Sequence, residues 1–240
     1  MGVIKAAMGD AVLTSLWVFA LPFLGISSAT VSNFLGVQSL LPVTLLITTF
    51  LSTINVLIFS LLGHVLGGAS FNPSTTLAFY AAGLKPDVSL LSMAIRFPFQ
   101  AAGGVAGAKT ILQVMPSDHK HRLKGPFLRV DLHTGAIAEG VISFVFCFAL
   151  LLIMLQGPRN MILKVWLLSV TTLTLVISGS GYTGPSMNPA NAFGWAYVNN
   201  WHNSWELFYV YWICPFVGAI LAAWIFKFVF PPAPIKQKKA

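Results

Sequence analysis

The chain has 240 residues, of which 56% are apolar and 8% charged, and its mean hydropathy is +0.80. These values exclude a soluble globular domain, and the length leaves room for about six membrane spans with short loops but for no separate soluble domain. The formal charge of +8 sits mostly in loops and in the basic stretch 231–240, where it suits membrane orientation and anionic headgroups rather than a nucleic acid.

In chain order, spans are predicted over 8–29, 41–63, 88–114, 133–156, 162–180 and 207–230. Lys5 precedes an apolar run that no small-residue cleavage site follows, so the first segment is expected to be a retained span and not a removed signal. Between the second and third spans, and again between the fifth and sixth, lie segments rich in Gly, Ser, Asn and Pro that then turn apolar: Gly67–Gly83 and Gly179–Val198. Each contains an Asn-Pro pair, in Phe71-Asn72-Pro73-Ser74 and in Met187-Asn188-Pro189-Ala190. An Asn caps a helix, and a Pro fits its first position, so each pair opens a helix in mid-membrane. From Asn72 to Gly83 the chain can span about 16 Å as helix, half of the roughly 30 Å hydrocarbon core.

The halves repeat one another, over about 6–115 and 133–230. Asp10-x-x-x-Thr14 answers to Glu139-x-x-x-Ser143, the two Asn-Pro pairs answer to each other, and Gln100-Ala101-Ala102-Gly103 with Gly107 answers to Pro215-Phe216-Val217-Gly218 with Ala222. Three spans per half make the second copy inverted, so the half-helices approach from opposite faces. The small residues Gly103, Gly107, Gly218 and Ala222 recur at a spacing that lets helix backbones pack closely. An even number of spans puts both chain ends on one side. That side carries Lys5, Lys85, Arg159, Lys164, Lys227, Lys236, Lys238 and Lys239 against Lys109, Lys120, Arg122, Lys124 and Arg129 on the other, which favours cytosolic ends.

At each N-cap the Asn oxygen accepts from the first helical turn, and its amide NH2 is expected to stay free and face the cavity. Asn72 and Asn188 then offer two donors to a passing oxygen. Both helix N-termini add partial positive charge at the same spot, which repels cations. Arg96, inside the third span, needs an acidic partner, with Asp10 and Glu139 both available. Cys147 and Cys214 lie in apolar runs, and His64, His119 and His121 lack metal-site spacing, so no metal, cofactor or catalytic group is expected.

On these residues the chain resembles the aquaporins, the major intrinsic protein family, over nearly its full length. Within them it is similar to the first subgroup of the plant small basic intrinsic proteins. The stretches that carry the likeness are Gly9-Asp10, Ala69-Ser70-Phe71-Asn72-Pro73, His133-Thr134-Gly135-Ala136, Tyr182-Thr183-Gly184-Pro185, Asn188-Pro189-Ala190 and the basic end. The resemblance implies an all-α membrane fold of six spans plus two re-entrant half-helices, assembled as a homotetramer with a pore in every subunit. It places Asn72, Pro73, Asn188, Pro189 and Ala190 on the pore motifs, with Ser74 where the first motif usually has alanine. Asp10 and Glu139 fall on buried acids that brace the half-helix loops. The narrow outer constriction falls on Val176, Pro185 and Asn191, with Leu51 or Ser52 from the second span. Asn191 stands where most members carry arginine, so the filter is less charged than usual and strict water selectivity is not implied. Lys236 and Lys238 resemble a cytosolic dilysine retrieval signal for the endoplasmic reticulum.

The expected function is passive passage of water, extending to small neutral solutes, with membrane lipid and sister subunits as partners. Two other readings remain. A proton-coupled transporter also uses inverted repeats and broken helices, but the interrupted segments hold no acidic, basic or histidine side chain to couple. A non-conducting structural protein can keep the same fold.

Overall fold

A computed structural model describes residues 2–84 and 89–231. Lys85, in the second-to-third span connection, and Lys236 and Lys238 lie outside the described residues. Six helices of membrane-spanning length account for most of the chain: α1 (Val3–Phe34), α2 (Leu41–Val65), α4 (Leu90–Val114), α6 (Leu132–Leu155), α7 (Met161–Gly179) and the last span. This last begins as the short α9 (Trp205–Phe208), passes through a π-turn at Tyr209–Ile213, and continues as α10 (Cys214–Val229). Between them stand the short half-helices α3 (Pro73–Ala81) and α8 (Pro189–Val198) and the single turn α5 (Ser117–Lys120).

Five of the six spans are long and apolar enough to cross a bilayer on length and composition alone. The sixth, α4, is diluted by Arg96 and Gln100, which it turns inward: both are buried. Several threonine hydroxyls are satisfied within their own helices. Thr49 and Thr53 of α2 and Thr171 and Thr172 of α7 each donate to the carbonyl four residues back, the economical solution where no water is at hand. Side chains also start the helices. Ser89, Asp131 and Asn160 accept from first-turn N–H groups of α4, α6 and α7.

Packing is arranged alike in the two halves. α1 lies along α4 in the first half and α6 along α10 in the second, while each half-helix is seated against the other half's last span, α8 on α4 and α3 on α10. Glycine makes these approaches possible. A Cβ on Gly103 would collide with the Ala11 carbonyl, one on Gly107 with the Ser15 carbonyl, and one on Gly218 with the Gly140 carbonyl. Gly104 and Gly194 meet backbone to backbone where α4 crosses α8. Much of the exterior of the spans is apolar, with Phe50, Leu61, Ile137, Ile162 and Trp224 all exposed.

Gly103→Val or Gly218→Val is therefore expected to cost at least about 1–3 kcal/mol and to reduce the yield of folded protein. Gly25→Ala, with nothing within 4 Å of the new methyl, should be tolerated. Thermal unfolding in detergent with size-exclusion chromatography checks both; equal behaviour of the three variants would contradict the packing assigned to the glycines.

Candidate functional site

The half-helices are short for the reason their sequences suggest. α3 has 9 residues and α8 has 10, about 14–15 Å each, so two end to end make one span. Asn72 and Asn188 are their N-caps, both in extended backbone with a Pro at the first helical position. Asn72 Oδ1 accepts from Ser74 N at 2.9 Å, and Asn188 Oδ1 accepts from Ala190 N at 3.1 Å and Asn191 N at 3.3 Å.

The amide nitrogens correct the sequence expectation that each NH2 stays free. Asn72 Nδ2 donates to the Met187 carbonyl at 2.9 Å, and Asn188 Nδ2 donates to the Phe71 carbonyl at 3.0 Å. Each asparagine thus caps its own helix with its oxygen and ties down the residue preceding the opposite asparagine with its nitrogen. The reason is local: a carbonyl buried at the junction of two helix starts has no intrahelical donor, and the facing amide is the nearest one. One N–H of each amide remains without an acceptor among the described residues. Met187 adopts φ 51°, a left-handed conformation uncommon for a residue with a side chain, whereas Phe71 does not. That departure from symmetry is invisible in the Met-Asn-Pro and Phe-Asn-Pro sequences.

Two buried acids hold the loops leading into the half-helices. Asp10 Oδ1 accepts from Ser70 N at 2.8 Å, and the same carboxylate takes Arg96 Nε and Nη2 at 2.7 Å each and Gln100 Nε2 at 2.8 Å. This resolves the partner of Arg96: it is Asp10, in a bidentate pair that is the one ion pair among the described residues. Gln100 also donates to the Ser70 carbonyl at 3.1 Å. In the second half Glu139 Oε1 accepts from Ser186 N at 2.8 Å and Thr183 Oγ1 at 3.0 Å, and Oε2 from Met187 N at 3.3 Å. The position equivalent to Arg96 is Tyr211, whose hydroxyl donates to the Thr183 carbonyl at 3.0 Å. One repeat balances its buried acid with a guanidinium; the other uses neutral donors alone. Gln100 and Tyr211 were missed from sequence. Gln100 carried a usable signal, because its spacing of four from Arg96 puts both on one face of α4.

Val176, Pro185 and Asn191, which the resemblance assigns to the outer constriction, all line one cavity of about 340 Å³. Its lining draws on the α5–α6 and α7–α8 connections. Asn191 is 8% exposed; its amide nitrogen donates to Ser186 Oγ at 3.2 Å, and its Oδ1 has no partner. The remaining walls differ from expectation. Leu51 is half-buried and Ser52 buried on α2, and neither belongs to the residues lining this cavity. Leu21 and Pro22 of α1 line it, together with Arg122, Lys124 and Arg129 of the α5–α6 loop. Ser74 is fully buried behind the first motif, and its hydroxyl has no partner. At the opposite side of the asparagine pair, Trp17, Phe59 and Phe71 form an aromatic cluster, with Trp17 stacked on Phe71 at 4.2 Å.

Removing Asp10 strands the Arg96 guanidinium. Asp10→Ala should cost about 3–5 kcal/mol, and adding Arg96→Met should restore part of that loss by removing the uncompensated charge. Chemical unfolding of the single and double variants in detergent reads the difference. A double variant no more stable than Asp10→Ala alone would contradict the pairing as the source of the loss.

Comparison with known proteins agrees with this geometry. The chain matches the major intrinsic protein family over residues 1–226. It is 57% identical to Aquaporin SIP1-1 of Zea mays, with 99% of this chain and 98% of that protein covered, and 55% identical to Aquaporin SIP1-1 of Oryza sativa subsp. japonica, with 98% and 96% covered. Aquaporin SIP1-1 of Arabidopsis thaliana is 48% identical, with 100% and 98% covered. Among solved structures, the aquaglyceroporin from Plasmodium falciparum shares the fold at a TM-score of 0.72 and 16% identity, covering 96% of this chain and 98% of that one. By its sequence relatives and its shared fold alike, the chain belongs to the major intrinsic protein family, the aquaporins, among the small basic intrinsic proteins of plants.

Proposed function

We propose that the protein is a passive channel for water that also admits small neutral solutes. It works as a homotetramer in the endoplasmic reticulum membrane, with both chain ends cytosolic. The observation that carries this reading is the reciprocal pair Asn72 and Asn188, which sets two half-helix N-termini tip to tip. Each amide keeps one N–H for a permeating oxygen, and each helix end adds about half a positive charge, so water is received while cations and hydronium are repelled.

The filter reading rests on the outer cavity. Val176, Pro185 and the amide of Asn191 make a neutral floor, with no fixed charge of its own to tell water from other small neutral solutes. That favours a tolerance broader than water alone. Asp10 and Glu139 act as braces, since every contact they make goes to the loops or to α4. The broad apolar exterior suits both lipid and sister subunits.

In proteoliposomes, stopped-flow shrinkage is expected to give water permeability with a low activation energy. Asn188→Ala should lower it several-fold, as well as weakening the α8 cap by about 1 kcal/mol. Permeability no higher than that of empty vesicles would replace the channel with the non-conducting scaffold reading. For the location, a tagged chain with Lys236→Ser and Lys238→Ser is expected to leave the reticulum for the cell surface; unchanged retention removes the role assigned to those lysines.

A further inference from the structure

The cavity above Asn191 is bounded by a loop whose placement is fixed by backbone, not by chance side-chain contact. Phe127 N donates to the Thr183 carbonyl at 3.0 Å and Arg129 N to the Tyr182 carbonyl at 2.8 Å, so 127–129 is tied to the turn that follows α7. Gly125 lies against Trp195 so closely that a Cβ there would collide with the indole, and Gly184, at φ 55°, turns the chain beneath Pro126 and Phe127. Leu123 packs into the cluster of Met115 and Trp195. The loop is therefore held over the mouth as part of the channel body.

What it brings there is charge. Arg122, Lys124 and Arg129 all line the cavity, and none is in an ion pair with another of the described residues. The acids of the same connection are engaged elsewhere: Asp118 accepts from Ser117, and Asp131 caps α6 through His133 N and Thr134 N. Arg129 rests over the Phe127 ring at 4.6 Å, which leaves the guanidinium edge free. Three unpaired cations at the rim of one concave, partly enclosed space focus a positive potential into it. Two of them are guanidiniums, whose forked donors match the oxygens of a tetrahedral oxyanion, and the third is a point charge suited to the same ligand.

We propose that the loop 122–129 makes this mouth a binding site for a small oxyanion of the phosphate class, and that the bound anion obstructs the pore beneath it. A volume of about 340 Å³ accommodates such an ion with some of its water. The site lies directly above Pro185 and Asn191, so an occupant stands in the path of anything crossing the filter. The charge that this chain lacks at position 191 is thus supplied from above, by residues able to hold a ligand. The obstruction rests on the channel reading; the binding does not.

Two measurements separate these. Isothermal titration of the detergent-purified protein with inorganic phosphate, at constant ionic strength, is expected to show saturable binding that weakens at least tenfold in the triple variant Arg122→Gln, Lys124→Gln, Arg129→Gln. It should be unchanged in Lys120→Gln, whose side chain lies outside the cavity. Stopped-flow water flux of the wild type is then expected to fall as phosphate saturates the site, with the triple variant insensitive. Absence of saturable binding, or equal binding by the triple variant, overturns the site. Binding without loss of flux overturns the obstruction. A wild type with no flux in phosphate-free buffer sinks the channel reading and with it the obstruction, and leaves the anion site to be judged by the titration.

Discussion

Each of two asparagines serves two helices. Its oxygen closes the first turn of its own half-helix, and its nitrogen holds the carbonyl of the residue before the other asparagine. The arrangement solves a problem the bilayer creates. A helix that starts in the middle of a membrane exposes N–H groups with no water to receive them, and the extended backbone leading to it exposes carbonyls as well. Aspartate at the same place would cap but not donate, and serine would cap with too short a reach to bridge. The side-chain amide does both within one residue, and the proline that follows removes one N–H that would otherwise need a partner.

The surrounding structure keeps this junction in place by unequal means. Asp10 and Glu139 occupy equivalent positions and each holds a loop N–H, yet Asp10 is paired with Arg96 and Gln100 while Glu139 relies on Thr183, Ser186 and Met187. A buried carboxylate needs compensation, and a bidentate guanidinium and a set of dipoles are alternative ways to give it. The second half adds Tyr211, which reaches the Thr183 carbonyl from the last span. Its π-turn at Tyr209–Ile213 shifts the register just where this side chain must turn inward. The halves are related by ancestry of pattern, and their chemistry has diverged around a shared geometry.

Much of this was legible in the sequence. The spans and the half-helices follow from hydrophobic length and Asn-Pro capping, which are local properties. The failures are equally physical. The cross-bridging of the asparagine amides depends on which backbone groups are left unpaired when two loops meet, and neither loop alone encodes that. Arg96 had two candidate partners until the α1 and α4 backbones were brought together by Gly103 and Gly107. The constriction looked to α2 for a wall, at Leu51 or Ser52, where the cavity takes Leu21 and Pro22 from α1 and three cations from a loop. Loop placement was the least readable feature, because it is set by two backbone hydrogen bonds and a glycine against Trp195.

The seating of α8 on α4 and of α3 on α10 makes the two copies interdependent. Each owns a stub whose socket belongs to its sibling, so neither repeat contains a finished core. Separated at the connection between them, each fragment would present an empty trough of small residues, around Gly104 in one and around Ala219 and Ala222 in the other, and a stub with nowhere to dock. The smallest autonomous folding unit is therefore the pair, and insertion of the chain into a bilayer is completed only when the later copy arrives to exchange stubs with the earlier one.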